Sequence, residues 1–321
     1  MRVPAVVFAL ALALVGGATP AAANSATPDA RLVHPVGVRS ATFTDSSRAT
    51  PEVPVLGLTG SPTRVLPVTV WYPARGATTA MPTPDARPAT GRFPLIVWAH
   101  GNSARGSAPP PVVPMWASYG YVVVAPDFPV SSRARTILDA TADWGAQPAD
   151  VRFVLDRMLS PGTDDPLRAH VDRRHVGLAG HSLGAITVLA EAYGPDPDAR
   201  VGAVISLSGI PLLPGTDVAS RPTPLLLIHA DNDATVPYGS STDMFAAASG
   251  PHALVTVVGG NHSTFLYSAG PETAKVVATA TLAFWDRYLR GDRAAPDRIT
   301  ALATPGSYEV QASWAPPTPS P

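Results

Sequence analysis

The chain has 321 residues, 45% of them hydrophobic and 15% charged, enough apolar material for one large core or two smaller ones and unlike a disordered or fibrous composition. Formal net charge is −1 and no run of like charges stands out, so the electrostatic footprint of a nucleic-acid or anionic-membrane binder is missing. Cysteine is absent, which excludes disulfides, thiol catalysis, iron–sulfur clusters and thiolate zinc sites and leaves oxygen and imidazole for any chemistry.

The first 23 residues read as a secretory signal peptide. Arg2 supplies a positive charge, 6–15 is an unbroken apolar run (VVFALALALV), and Ala21-Ala22-Ala23 suits a signal peptidase cutting after Ala23. The run is about half the roughly 20 residues needed to cross a bilayer. The expectation is therefore an extracellular protein with no integral membrane segment after processing, carrying 22 basic and 24 acidic residues, a net −2.

From Leu32 onward, short β-type runs alternate first with turns and then with helical patterns, which predicts an α/β domain with a mostly parallel twisted sheet and helices on both faces. One domain over 24–303 is the economical reading. Residues 37–43 and 64–72 show period-2 character and predict an antiparallel edge. The near-continuous apolar runs at 93–99, 121–125, 176–179, 201–207, 224–229 and 253–258 suit strands covered on both faces. Helical patterns fall at 148–159, with Val151, Val154, Leu155 and Met158 on one stripe, at 183–193 and at 273–289; Pro148 fits a first helical turn. Residues 304–321 read as a Pro-rich C-terminal tail, frayed at its end.

Directly after the run at 176–179 comes Gly180-His181-Ser182-Leu183-Gly184, followed at once by a helical pattern. This is G-x-S-x-G between strand and helix, a sharp turn that presents Ser182 above the sheet as a nucleophile; a side chain at either glycine would collide with its neighbours. The Leu183 N–H, at a helix N-terminus, is placed to donate to a developing oxyanion. A serine hydroxyl needs a base, and the base needs a carboxylate to fix its tautomer. Both are expected downstream. After the run at 224–229 stand Asp231 and Asp233, of which Asp233 is preferred for its Asp-x-x-Val-Pro spacing and Asp231 is left as a solvated or loop-capping residue. After the next run, Gly259-Gly260-Asn261-His262 offers His262 as the base. The second oxyanion donor belongs in the loop His100-Gly101-Asn102-Ser103, with the Asn102 N–H first and Ser103 next, while His100 ties the loop down. Asp127 reads as loop-stabilising. No His/Asp/Glu spacing suits a metal and no phosphate-binding glycine motif occurs, so neither metal nor cofactor is expected.

These residues resemble those of the α/β-hydrolase superfamily. VTVWYPA at 68–74, PLIVWAHGN at 94–102, SYGYVVVAPDFP at 118–129, DVRFVLDRML at 150–159 and HVGLAGHSLGA at 175–185 are similar to the dienelactone-hydrolase-like branch, which includes platelet-activating-factor-acetylhydrolase-like esterases, bacterial cutinase-type polyester hydrolases and lipases. The resemblance implies catalytic Ser182, Asp233 and His262 with oxyanion amides at Asn102 and Leu183. Cutinase-type enzymes usually carry an aromatic residue where this chain has Asn102, a second glycine where it has Ala185, and a C-terminal disulfide impossible here.

Only 208–223 separates the nucleophile half from the acid, too little for a cap domain, so an open site is expected. Ile210, Leu212 and Leu213 on that connection are candidates for an apolar substrate-binding wall beside Ser182, with a core plug under the loop as the other reading. The expected function is a secreted, monomeric serine carboxylic ester hydrolase of carboxylesterase, lipase or polyesterase type, acting on an ester substrate that includes lipids and polymers among the candidates. The competing readings are a non-catalytic binding protein on the same fold and a hydrolase of another acyl bond.

Overall fold

A computed structural model describes residues 33–160 and 165–314. In chain order its elements are β1 (Val36–Asp45), β2 (Thr50–Val53), β3 (Leu58–Ser61), β4 (Arg64–Pro73), β5 (Thr83–Pro84), β6 (Phe93–Ala99), α1 (Val112–Ser118), β7 (Val122–Pro126), α2 (Ile137–Ala140), α3 (Gln147–Leu159), β8 (Val171–His181), α4 (Leu183–Tyr193), β9 (Val201–Leu207), β10 (Leu225–Ala230), α5 (Gly239–Ala247), β11 (His252–Val257), α6 (Thr264–Tyr267), α7 (Pro271–Leu289), α8 (Ala295–Thr300) and β12 (Tyr308–Ser313). The signal-peptide reading lies outside the described residues.

Ten strands form one sheet in the order β12-β11-β10-β9-β8-β6-β7-β4-β1-β5. The block from β11 to β7 is parallel, and β4 and β1 add to it antiparallel, as the period-2 pattern of 37–43 and 64–72 predicts. Alternation of side chains along each central strand divides the core into two layers. Leu95, Val97 and Ala99 of β6 join Val154, Leu155 and Met158 of α3 and Val188 and Leu189 of α4 on one face. Ile96 and Trp98 join Trp116 of α1 and Phe284 and Trp285 of α7 on the other. Strands buried on both sides have no polar face to show, which is why their sequences are unbroken apolar runs. Among the described residues, no helix is long and apolar enough to cross a membrane.

The domain boundary at 303 is corrected. Tyr308–Ser313, read as part of a Pro-rich tail, is β12, paired antiparallel along the whole of β11 from Tyr308 opposite Val257 to Ser313 opposite His252. Its YEVQAS sequence has the alternation of a strand with one exposed side, which the surrounding prolines obscured. The Pro/Gly/Ser-rich segment between β1 and β4 folds into a β2–β3 hairpin of its own. Between β9 and β10 the chain runs from 208 to 224 without helix or strand, so no cap domain is inserted at that connection.

Candidate active site

β8 runs straight into α4 through Ser182, whose φ of 56° and ψ of −119° are held by a Ser182 N–H to Leu207 C=O bond of 2.9 Å. A left-handed conformation at a non-glycine residue costs about 1–3 kcal/mol and persists only when its surroundings impose it. Here they do: a Cβ on Gly180 would strike the backbone of Gly184, and one on Gly184 would strike the carbonyl of Ala99 on the neighbouring strand β6. The elbow therefore needs both glycines, and the helix begins directly at Leu183 with its first-turn N–H groups beside the serine.

The loop after β6 meets the elbow through Gly101, whose missing side chain leaves room 3.4 Å from Cβ of Ser182. His100 ties it down, as expected: its buried ring donates from Nδ1 to Gly101 C=O at 2.8 Å and accepts the Phe128 N–H at Nε2 at 3.1 Å. Burial lowers its basicity and favours that neutral form. Ser103, at φ 62°, spends its N–H on Ser131 C=O (2.9 Å) and its hydroxyl on Ala134 C=O (2.5 Å). That removes Ser103 as an oxyanion donor. Asn102 N–H makes no hydrogen bond among the described residues, so it stays available as a donor. The buried Gln147 braces this arrangement, joining Ser131 Oγ at 2.9 Å to Thr187 Oγ1 of α4 at 2.7 Å.

Asp233 follows β10. Its Oδ1 accepts the N–H groups of Thr235 (2.8 Å) and Val236 (2.9 Å), the physical content of the Asp-x-x-Val-Pro spacing. Its Oδ2 accepts from His262 Nδ1 at 2.7 Å and from His229 Nε2 at 3.0 Å. Burial alone would raise its pKa, yet hydrogen bonds from His229, His262 and Val236 outweigh that and hold the carboxyl well below the usual carboxylate range. Asp231 instead accepts Gly259 N–H at 2.6 Å, capping the loop that carries His262. The His262 carbonyl accepts from His181 Nε2 (3.0 Å) and Ser208 Oγ (3.2 Å), and the His181 and His262 rings lie 4.9 Å apart. Burial, reinforced by the neighbouring His262, pushes His181 down to about 4, so it stays a neutral donor. The imidazole of His262 thus stands beside the residue adjoining Ser182. Among the described residues, the Ser182 hydroxyl itself makes no hydrogen bond; such contacts are often loose before substrate arrives.

The proposed wall divides. Ile210 and Leu213 pack, half-buried, on a small apolar cluster of Ala134, Ala140, Leu183 and Ile186, together with Leu56, Ile137 and Trp144. Leu212 does not join the cluster and is 50% exposed. Five residues of this cluster were not foreseen: Leu56 from the β2–β3 hairpin, and Ala134, Ile137, Ala140 and Trp144 from the connection after β7. A capping box at Thr136 and Asp139, which opens α2, is the one signal in the sequence that marked that connection as ordered. His229 was also missed as a site residue. Among the described residues no group of three or more potential ligands could hold a metal.

A family profile described as Chlorophyllase matches residues 72–236, half of the chain. The chain belongs to the chlorophyllase family. The matched chlorophyllase region contains Asn102, Ser182, Leu183 and Asp233 and stops short of His262. Among solved structures, the chain is similar to a ferulic acid esterase from Streptomyces cinnamoneus, at 25% identity and a TM-score of 0.64, with 89% of this chain and 98% of that chain covered. None of the curated proteins matches. The sheet and its covering helices are those of an α/β hydrolase, and chlorophyllase-family membership with the esterase likeness makes the chain an ester-cleaving hydrolase.

Proposed function

We propose that the chain is a secreted serine carboxylesterase working through an acyl-enzyme on Ser182, His262 and Asp233. The observation that carries this reading is the 2.7 Å contact from His262 Nδ1 to a carboxylate whose other lone pairs are filled, with the His262 ring 4.9 Å from that of His181, the residue before a serine in a strained strand-to-helix turn. Ser182 Oγ attacks the ester carbonyl while His262 Nε2 takes its proton, and Asp233 holds the imidazole in the tautomer that leaves Nε2 free. The oxyanion so formed lies between the N–H groups of Asn102 and Leu183. Collapse breaks the ester C–O bond, and His262 returns the proton to the leaving alkoxide. Water, deprotonated by His262, then cleaves the acyl-enzyme to release the acid and Ser182.

The surroundings support an ester with a sizeable apolar part. Three connecting segments each carry an apolar pair, one member packed on the cluster that includes Leu183 and one exposed to solvent: Leu56 with Val55, Ile137 with Leu138, Leu213 with Leu212. With no cap domain inserted between β9 and β10, these pairs suit an extended acyl or alcohol chain, a lipid or a polyester segment. No sequence feature calls for a cofactor, and the chain acts as a monomer.

The test is covalent. A p-nitrophenyl phosphonate should inactivate the protein with one equivalent bound, and peptide mass mapping should place the adduct on Ser182, with a burst of p-nitrophenol from the acetate ester. An adduct elsewhere would sink the nucleophile assignment, and no reaction with either reagent would favour a binding protein on a hydrolase fold. Secretion is tested separately by the N-terminus of protein recovered from culture medium, expected at Asn24.

A further inference from the structure

His229 is the next-to-last residue of β10, four residues before Asp233, and is fully buried. Its Nε2 lies 3.0 Å from Asp233 Oδ2 and 3.1 Å from the Val236 carbonyl oxygen. A carbonyl only accepts, so Nε2 carries the hydrogen and shares it between the two oxygens. On the far side of the ring, Nδ1 is 2.7 Å from the buried Ser241 Oγ of α5, and Tyr238 stands edge-on with ring centroids 5.8 Å apart. The ring is thus fixed on both edges and aimed at the oxygen that also receives His262 Nδ1–H.

That sharing is more than the local turn requires. Oδ1, with the N–H groups of Thr235 and Val236, already secures the turn. A carboxylate oxygen that serves two imidazoles offers each a weaker acceptor than it would offer one alone. We propose that His229 is a positioning residue for the triad proposed above: its Nε2–H fixes the rotation of the Asp233 carboxylate and draws charge from Oδ2, so that His262 is oriented but held less tightly as an imidazolium and gives up its proton more readily. The inference rests on that triad reading. The other titratable groups facing the trio are His181 from the end of β8, which stays neutral, Tyr267 of α6 against His181, and Tyr238, whose hydroxyl pairs with Thr256 of β11 at 2.6 Å. Asp231 is turned to Gly259, and Asp243 of α5 is exposed.

Three variants are compared with the wild type by the pH profile of kcat/KM on p-nitrophenyl acetate: His229→Leu, which removes the donor; His229→Gln, whose amide N–H reaches the Nε2 position; and Ser241→Ala, which frees Nδ1 without emptying the core. The acid limb of His229→Leu should move to higher pH by about half a unit or more. Its kcat should fall about tenfold with KM nearly unchanged, the loss expected for one charge-assisted hydrogen bond. His229→Gln should restore both, and Ser241→Ala should move the limb in the same direction by less. The low-field proton of His262 Nδ1–H, read by NMR in a Ser182→Ala background that needs no turnover, should shift further downfield when His229 is lost. A packing role predicts lower stability and kcat with an unmoved limb, an unmoved resonance and no rescue by Gln, and that result overturns the inference. Should His229→Leu fail to fold, an unmoved limb and resonance in Ser241→Ala overturn it equally. A moved resonance with an unmoved limb separates the two claims: the coupling of His229 to His262 stands, and the triad reading falls.

Discussion

His262 Nδ1 reaches Asp233 Oδ2 at 2.7 Å, while the carboxylate two residues earlier, Asp231, is committed to the N–H of Gly259. The two acids share a loop and differ entirely in their partners. Asp233→Asn should lower kcat by on the order of 10⁴, because an amide cannot hold the required tautomer. Asp231→Asn should stay within a few-fold, since the amide oxygen can still accept from Gly259. Steady-state kinetics on a short p-nitrophenyl ester decide it, and the reverse ranking would exchange the roles.

In the proposed mechanism Ser182 and His262 act on one proton. Ser182→Ala and His262→Ala should each remove most of the turnover, and the double variant should be little worse than either, the non-additivity of residues that function as a unit. Multiplicative losses would mean that the two residues contribute to separate steps.

The apolar pair on the 208–223 connection should split by phenotype. Leu213 packs on Leu183 and its neighbours, so Leu213→Ser should lower the melting temperature, whereas Leu212 is half exposed and Leu212→Ser should leave it unchanged. If Leu212 meets substrate, its loss removes on the order of 50 Å² of apolar contact, about 1 kcal/mol at roughly 25 cal/mol/Å². The ratio of kcat/KM for an eight-carbon over a two-carbon ester should then fall about fivefold. An unchanged ratio would take Leu212 out of the acyl path.

Glu191 on α4 is buried against Arg152, and burial, only partly offset by that guanidinium, raises its carboxyl to about 7. An acid whose folded value lies above its unfolded one holds more protons when folded, so stability declines as pH rises between about 4.5 and 7 and then levels. Glu191→Gln abolishes that titration, while Arg152 keeps Asp196 as a partner. The melting temperature of the variant relative to wild type should rise from pH 5 to pH 7.5. Parallel curves would show that the carboxyl ionises at its ordinary value.

The elbow could be read from sequence because its geometry permits so few residues: the contacts that a Cβ would make at Gly180 and Gly184 leave only glycine, and glycines at that spacing between strand and helix are conspicuous. The central strands were equally plain, since burial on both faces leaves unbroken apolar runs. Asp233 could be preferred over Asp231 because the two N–H groups it caps lie at fixed offsets downstream. His229 gave no such signal. Its role depends on a strand end and a turn meeting in space, and a histidine in PLLLIH looks like any residue closing a buried strand. The apolar cluster was partly hidden for the same reason, since Leu56 arrives from a hairpin more than a hundred residues before Ser182.

The last strand also matters to the residue farthest from it in function. β12 lies along β11, and Ser307 C=O accepts Val258 N–H at 3.0 Å, four residues before His262. Tyr308 fastens the same corner to α7 through Thr273 at 2.8 Å. A single proteolytic nick in the turn at 304–307 would release a clasp from the strand that delivers the imidazole and bare a row of unpaired backbone groups suited to edge-to-edge association. Inactivation and precipitation should then appear together, in a protein whose Ser182, Asp233 and His262 are all chemically intact.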